Sequence, residues 1–109
     1  MVTNTEKVKI NSQNYTFVHV TETVDPRVKA AIQELLNKGM TNIILHFHKD
    51  LSVDLSFPGL LLKLILLIQK DKGLVQIIIE DSDIYNIITT AGINAIVPVY
   101  CRNVQMVQT

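Results

Sequence analysis

The sequence predicts an α/β domain: a mixed sheet of about five strands, opened by an N-terminal hairpin and continued by parallel βαβ units, with the helices packed mainly on one face. Three observations lead there. Two alternating stretches, Lys7–Ile10 and Tyr15–Val20, flank Asn11-Ser12-Gln13-Asn14, the polar residues of a hairpin turn. Strand-like and helix-like patterns then alternate three times, and helices of that length between strands imply parallel pairing through right-handed crossovers. Finally, 109 residues of which 48% are hydrophobic suit a single domain, 1–109, with a substantial core.

Each element has a local cause. In the second strand, Tyr15, Phe17 and His19 face one way and Thr16, Val18 and Val20 the other. Asp25-Pro26 reads as a helix N-cap followed by the first helical residue. Val28, Ile32, Leu35 and Leu36 form the apolar stripe of that helix, and Gly39 ends it. Asn42–His48 is a strand in which Ile43, Leu45 and Phe47 alternate with Ile44, His46 and His48. A second helix follows Ser56 and reaches about Lys72, with Gly73 as its stop. Leu74–Glu80 is an isoleucine-rich strand. Asp81-Ser82-Asp83 caps a short helix through Ile84, Ile87 and Ile88, closed by Gly92. Ala95–Tyr100 is the last strand, with Pro98 suggesting an edge or an irregularity.

Composition excludes several functional classes. Ten basic residues balance ten acidic ones, so bulk charge advertises no nucleic-acid or anionic-membrane surface. The longest apolar run, Phe57 to Ile68, is broken by Lys63 and falls short of the roughly 18–20 residues that cross a bilayer. With no apolar signal core in Met-Val-Thr-Asn-Thr-Glu-Lys, a cytoplasmic protein without membrane insertion is expected. The lone Cys101 excludes an intramolecular disulfide framework, and a half-buried structural cysteine is expected there. Neither a G-x-x-x-x-G-K-[ST] loop nor a G-x-G-x-x-G occurs, and the loop carboxylates Asp50 and Asp54 lack a completing catalytic set. The expectation is a protein that is not an enzyme and uses no cofactor.

The segment Asp50 to Gly59, leading into Leu60–Ile68, carries the most functional information. Ser56 stands where a helix N-cap belongs, and a capping hydroxyl there is worth about 1 kcal/mol. The same position favours added negative charge, because the helix dipole is positive at that end. Lys63 and Lys70 mark the wet side of the following helix, with Gly59, Leu66 and Leu67 at i±3 or i±4 from them. The expected contact surface is therefore Asp54, Leu55, Ser56 and Phe57 from the loop with Gly59, Lys63, Leu66 and Leu67 from the helix, for a partner or a second copy. The competing reading is a helix buried on more than one side, with unremarked surface leucines. His46 and His48 share a strand face, and His19 lies opposite if the two strands pair. Three imidazoles can bind a metal, but histidines on the solvated side of a strand are commoner, and no metal site is predicted.

The order of these motifs resembles the STAS domain family of bacterial anti-sigma factor antagonists and sulfate transporters. Val24-Asp25 matches the end of that family's first-helix signature, and Leu45-His46-Phe47-His48 occupies its strand signature without the aspartate. Asp54-Leu55-Ser56-Phe57 lies on the Asp-Ser-Ser-Gly motif, keeping the aspartate and the second serine. Thr90-Ala91-Gly92-Ile93 and Ile96-Val97-Pro98-Val99-Tyr100 look like the closing pattern, so the similarity covers nearly the whole chain. The resemblance implies a regulatory domain that binds an anti-sigma factor with serine kinase activity and is released when Ser56, beside Asp54, is phosphorylated. A phosphate adds about −1.5 to −2 charges, so the switch would act at the interface. The alternative is a phosphorylation-independent STAS adaptor or scaffold, such as a cytoplasmic subunit of a membrane transport complex.

Overall fold

The computed structural model describes residues 3–10, 12–20, 26–49, 53 and 56–102. Within them the elements follow as β1 (Thr3–Ile10), β2 (Gln13–Val20), α1 (Pro26–Asn37), β3 (Asn42–Phe47), α2 (Phe57–Lys70), β4 (Leu74–Ile79), α3 (Ser82–Thr90) and β5 (Val99–Cys101). The sheet order is β1-β2-β3-β4-β5. β1 pairs antiparallel with β2, and the other three pairings are parallel. This is the mixed five-stranded α/β architecture that the alternation predicts.

Topology then decides where the helices go. A sheet that grows strand by strand in one direction, through right-handed crossovers, places every crossover helix on the same face. Val18 and Val20, Ile43, Leu45 and Phe47, and Val75, Ile77 and Ile79 supply that face, alternating along their strands. Ile32 of α1, Ile65 of α2 and Ile88 of α3 join the same cluster, each fully buried. The opposite face carries the other set: Tyr15, Phe17 and His19 on β2, Ile44 and His46 on β3, Gln76 and Ile78 on β4. No helix among the described residues is long and apolar enough to cross a membrane.

The boundaries differ from the expectation in instructive ways. The hairpin strands are longer, and Ile10 pairs with Gln13, which leaves two residues for the turn instead of four. Ser12 takes φ 69, the left-handed geometry that tight hairpin turns demand. α2 stops at Lys70, and Lys72, with φ 60, makes the left-handed exit. Gly73 serves another purpose: a Cβ there would lie 2.2 Å from the Thr41 carbonyl oxygen. β5 shrinks to three residues. A 3₁₀ turn, Ile93–Ala95, precedes it after Gly92 at φ 83, and buries Ile93 beside Val97. Pro98, lacking an N–H, joins the sheet only through its carbonyl, which accepts from Ile77 N at 3.0 Å. Cys101 is exposed at the sheet edge and not half-buried. The expected cap Asp25 lies outside the described residues, whereas Asp81 caps α3, its Oδ1 accepting from Asp83 N at 2.8 Å and Ile84 N at 3.2 Å.

Candidate functional site

The head of α2 departs from the expected N-cap. Ser56 is exposed, but its backbone is already helical (φ −82°, ψ −10°) and its side chain makes no capping bond. A capping side chain works from an extended backbone and reaches the N–H of the second or third helical residue. Here the second helical residue is Pro58, which has no N–H to give. Ser56 contributes its carbonyl instead, accepting from Leu60 N at 3.0 Å.

Phe57 is also placed differently. It is a core residue, 2% exposed, with its ring edge-on to Phe47 at 5.4 Å. It starts the buried stripe Phe57, Leu61, Leu64, Ile65, Ile68, whose spacing of four, seven, eight and eleven is one face of a helix. It is therefore not a contact residue. Gly59, Lys63 and Leu66 are exposed, as expected, and Leu60 joins them. Leu67 is half-buried against the core. Asp54 and Leu55 lie outside the described residues.

A second site sits on the face of the sheet away from the helices, at the C-terminal end of the parallel strands. Parallel pairing sets His19 of β2 beside His46 of β3. His48 follows His46 by two residues on the same side, and its N–H continues the ladder to Val20 O at 3.0 Å. Glu80, just past β4, is fixed by its own N–H on Phe47 O at 3.2 Å. The side chains form a chain of polar contacts. Glu6 Oε1 meets His19 Nε2 at 3.2 Å, and His19 Nδ1 meets His48 Nε2 at 3.0 Å. Glu80 Oε2 lies 2.7 Å from His46 Nε2 and 3.5 Å from His48 Nδ1. The His46 and His48 rings stack at 4.1 Å.

His46 contradicts the expectation of a solvated strand face: it is 5% exposed. β3 is the central strand, and the flanking rings of Phe17, His19 and His48 lie against His46. Burial pushes the His46 imidazole below its ordinary pKa. The hydrogen bond and charge of Glu80 oppose that shift, and the neighbouring His48 and His19 reinforce it. The ring is thus held neutral at neutral pH.

This has a consequence for stability. A base with a lowered native pKa binds its proton more readily in the unfolded chain, so stability is intact above the unfolded value of about 6.5 and drains away as pH falls from there toward the native value. In EDTA-containing buffer, the urea midpoint is expected to fall between pH 7 and 5.5, and His46→Leu to flatten that slope. An equal slope in both proteins would exclude His46 as its source.

Sequence reasoning noted the three histidines but missed Glu80 and Glu6, which are far away along the chain. Chemically, the cluster can share protons between carboxylate and imidazole or present ring nitrogens to a cation. No protein-family model matches the chain, and no curated protein matches it.

Proposed function

We propose that this chain is a non-enzymatic regulatory domain that binds a protein through the outward side of α2, with Ser56 as a phosphoacceptor at its head. The proposed partner is an anti-sigma factor with serine kinase activity, acting in the bacterial cytoplasm, as the resemblance to STAS-domain antagonists suggests. One observation carries the reading: an exposed serine opens directly onto an exposed strip of Gly59, Leu60, Lys63 and Leu66. Leu60 and Leu66 are 37% and 54% exposed, although the helix has already buried its full core stripe. Phosphate on Ser56 would be mildly favoured by the helix dipole, by roughly 0.3–1 kcal/mol, so the domain stays folded. Against an apolar or acidic partner surface the same charge adds repulsion and desolvation cost.

A second reading, a phosphorylation-independent adaptor that uses the same strip as a permanent contact, is favoured by Phe57. Its ring is locked in the core immediately after Ser56, which limits how far the segment can extend into a kinase cleft.

Binding to a purified anti-sigma factor with serine kinase activity from the same host tests the first reading. Ser56→Asp is expected to weaken it by tenfold or more, about 1.4 kcal/mol, with Ser56→Ala binding constitutively. Leu66→Lys should lose binding at unchanged stability. Intact-mass measurement on protein from its own host separates the readings: a fraction heavier by one phosphate supports the switch, and its absence under all growth conditions supports the adaptor. Wild-type binding by Ser56→Asp and Leu66→Lys together would reject both.

A further inference from the structure

We propose that His19, His46 and His48 form a binding site for a divalent transition-metal ion of the zinc class, with Glu6 and Glu80 as the carboxylates that orient the rings. The site is independent of the α2 surface and lies on the other face of the sheet.

The first argument is convergence. One ring nitrogen from each histidine can be chosen so that all lie within 4.8 Å of one another. Two imidazole nitrogens bound 2.0–2.1 Å from one tetrahedral zinc ion stand about 3.3 Å apart. His19 Nδ1 and His48 Nε2 are already 3.0 Å apart. His19 and His48 are both partly exposed, which leaves their rings room to turn toward a shared ion.

The second argument is the pattern of supporting carboxylates. Histidine ligands characteristically give their other ring N–H to a carboxylate, which fixes the tautomer and leaves the ligating nitrogen unprotonated. Each of these rings has a carboxylate at one nitrogen: Glu6 at His19 Nε2, and Glu80 at both His46 Nε2 and His48 Nδ1. With the ring protons committed there, the nitrogens left over are His19 Nδ1, His48 Nε2 and His46 Nδ1. The first two lie 3.0 Å apart, where a single shared proton bridges them in the metal-free protein and a metal ion would take that proton's place.

The third argument concerns the remaining nitrogen. Among the described residues, His46 Nδ1 is the buried side-chain polar atom with no hydrogen-bond partner. A buried polar atom left unpaired is costly, and folded proteins rarely retain one without a use. A neutral imidazole with an unshared lone pair is the form in which histidine ligates metal. Imidazole donors suit zinc, copper, nickel and iron, and rank poorly for magnesium or calcium, which fixes the metal class. The location also suits a ligand, since α/β sheets commonly bind at the C-terminal ends of their parallel strands.

The test uses untagged protein, stripped with EDTA, dialysed and titrated with zinc chloride by calorimetry. Saturation at one ion per chain is expected, with affinity reduced about 100-fold or more in His19→Ala and His48→Ala, and by roughly 10–100-fold in Glu80→Gln. Both histidines are only partly buried, so the variants are expected to fold, which circular dichroism checks before titration. Cobalt(II) provides a second readout: the intense visible bands of a tetrahedral site are expected in the parent protein and absent from His48→Ala. Absence of saturable zinc uptake by the parent protein, or uptake that survives in both folded histidine variants, would overturn the proposal.

Discussion

Replacing Phe57 with alanine is expected to lower the free energy of unfolding by about 3–5 kcal/mol, the usual cost of truncating a buried aromatic side chain. The ring sits at the start of α2, shielded from solvent and edge-on to Phe47. Its loss removes the transfer free energy of the ring, leaves a cavity and deprives Phe47 of a favourable aromatic contact. Against a total stability of about 5–15 kcal/mol for a domain of this kind, the loss is large enough to populate the unfolded state at moderate temperature. Urea denaturation should show a lower midpoint at unchanged slope. Leu66→Ala, nine residues along the same helix but facing outward, should stay within roughly 0.5 kcal/mol of the parent. A near-neutral Phe57→Ala would refute the placement of this ring in the core.

Gly73→Ala is expected to be nearly as damaging, at roughly 3 kcal/mol, for the opposite reason. The added methyl would meet the Thr41 carbonyl oxygen at 2.2 Å, the Ile68 Cγ2 at 2.7 Å and the Ile68 carbonyl oxygen at 3.0 Å. Two of these three atoms are backbone, so rotamer changes cannot relieve the clash. Thr41 and Gly73 directly precede the paired residues Asn42 and Leu74, and moving them apart pries open the start of the β3–β4 ladder. The comparison with Gly59, where a Cβ meets nothing within 4 Å, isolates the cause. Gly59→Ala on the exposed side of α2 should be neutral or slightly stabilising, because alanine is the better helix former. Equal midpoints for the two alanine variants would refute the close-approach argument.

These contrasts show which parts of the molecule are legible in sequence. The stripe Val28, Ile32, Leu35, Leu36 announces both α1 and its buried side, and all four are buried. The Asp81 cap and the alternation along β3 are equally local signals, since helical and strand periodicities depend only on neighbours a few residues away. Phe57 was readable too: its spacing to Leu61, Leu64 and Ile65 is the core spacing of α2. Its position in a loop motif suggested a surface role, and periodicity was the better guide. At Ser56, the residue type suggested a cap, but the already helical backbone turns the side chain away from that role and Pro58 removes one of the two N–H groups a cap could use.

What the sequence determined by itself is the alternation of elements, their apolar faces and the parallel pairing after the hairpin, because each rests on short-range periodicity or on the chain length that a crossover needs. The tertiary structure alone decided the character of the histidine cluster. His19 meets His46 only through the β2–β3 register, and Glu80 reaches both His46 and His48 only because β4 lies on the other side of β3. Burial, tautomer and lone-pair direction follow from those neighbours in space, and residues 34 positions apart in the chain carry no local signal that they will share a proton or a metal ion.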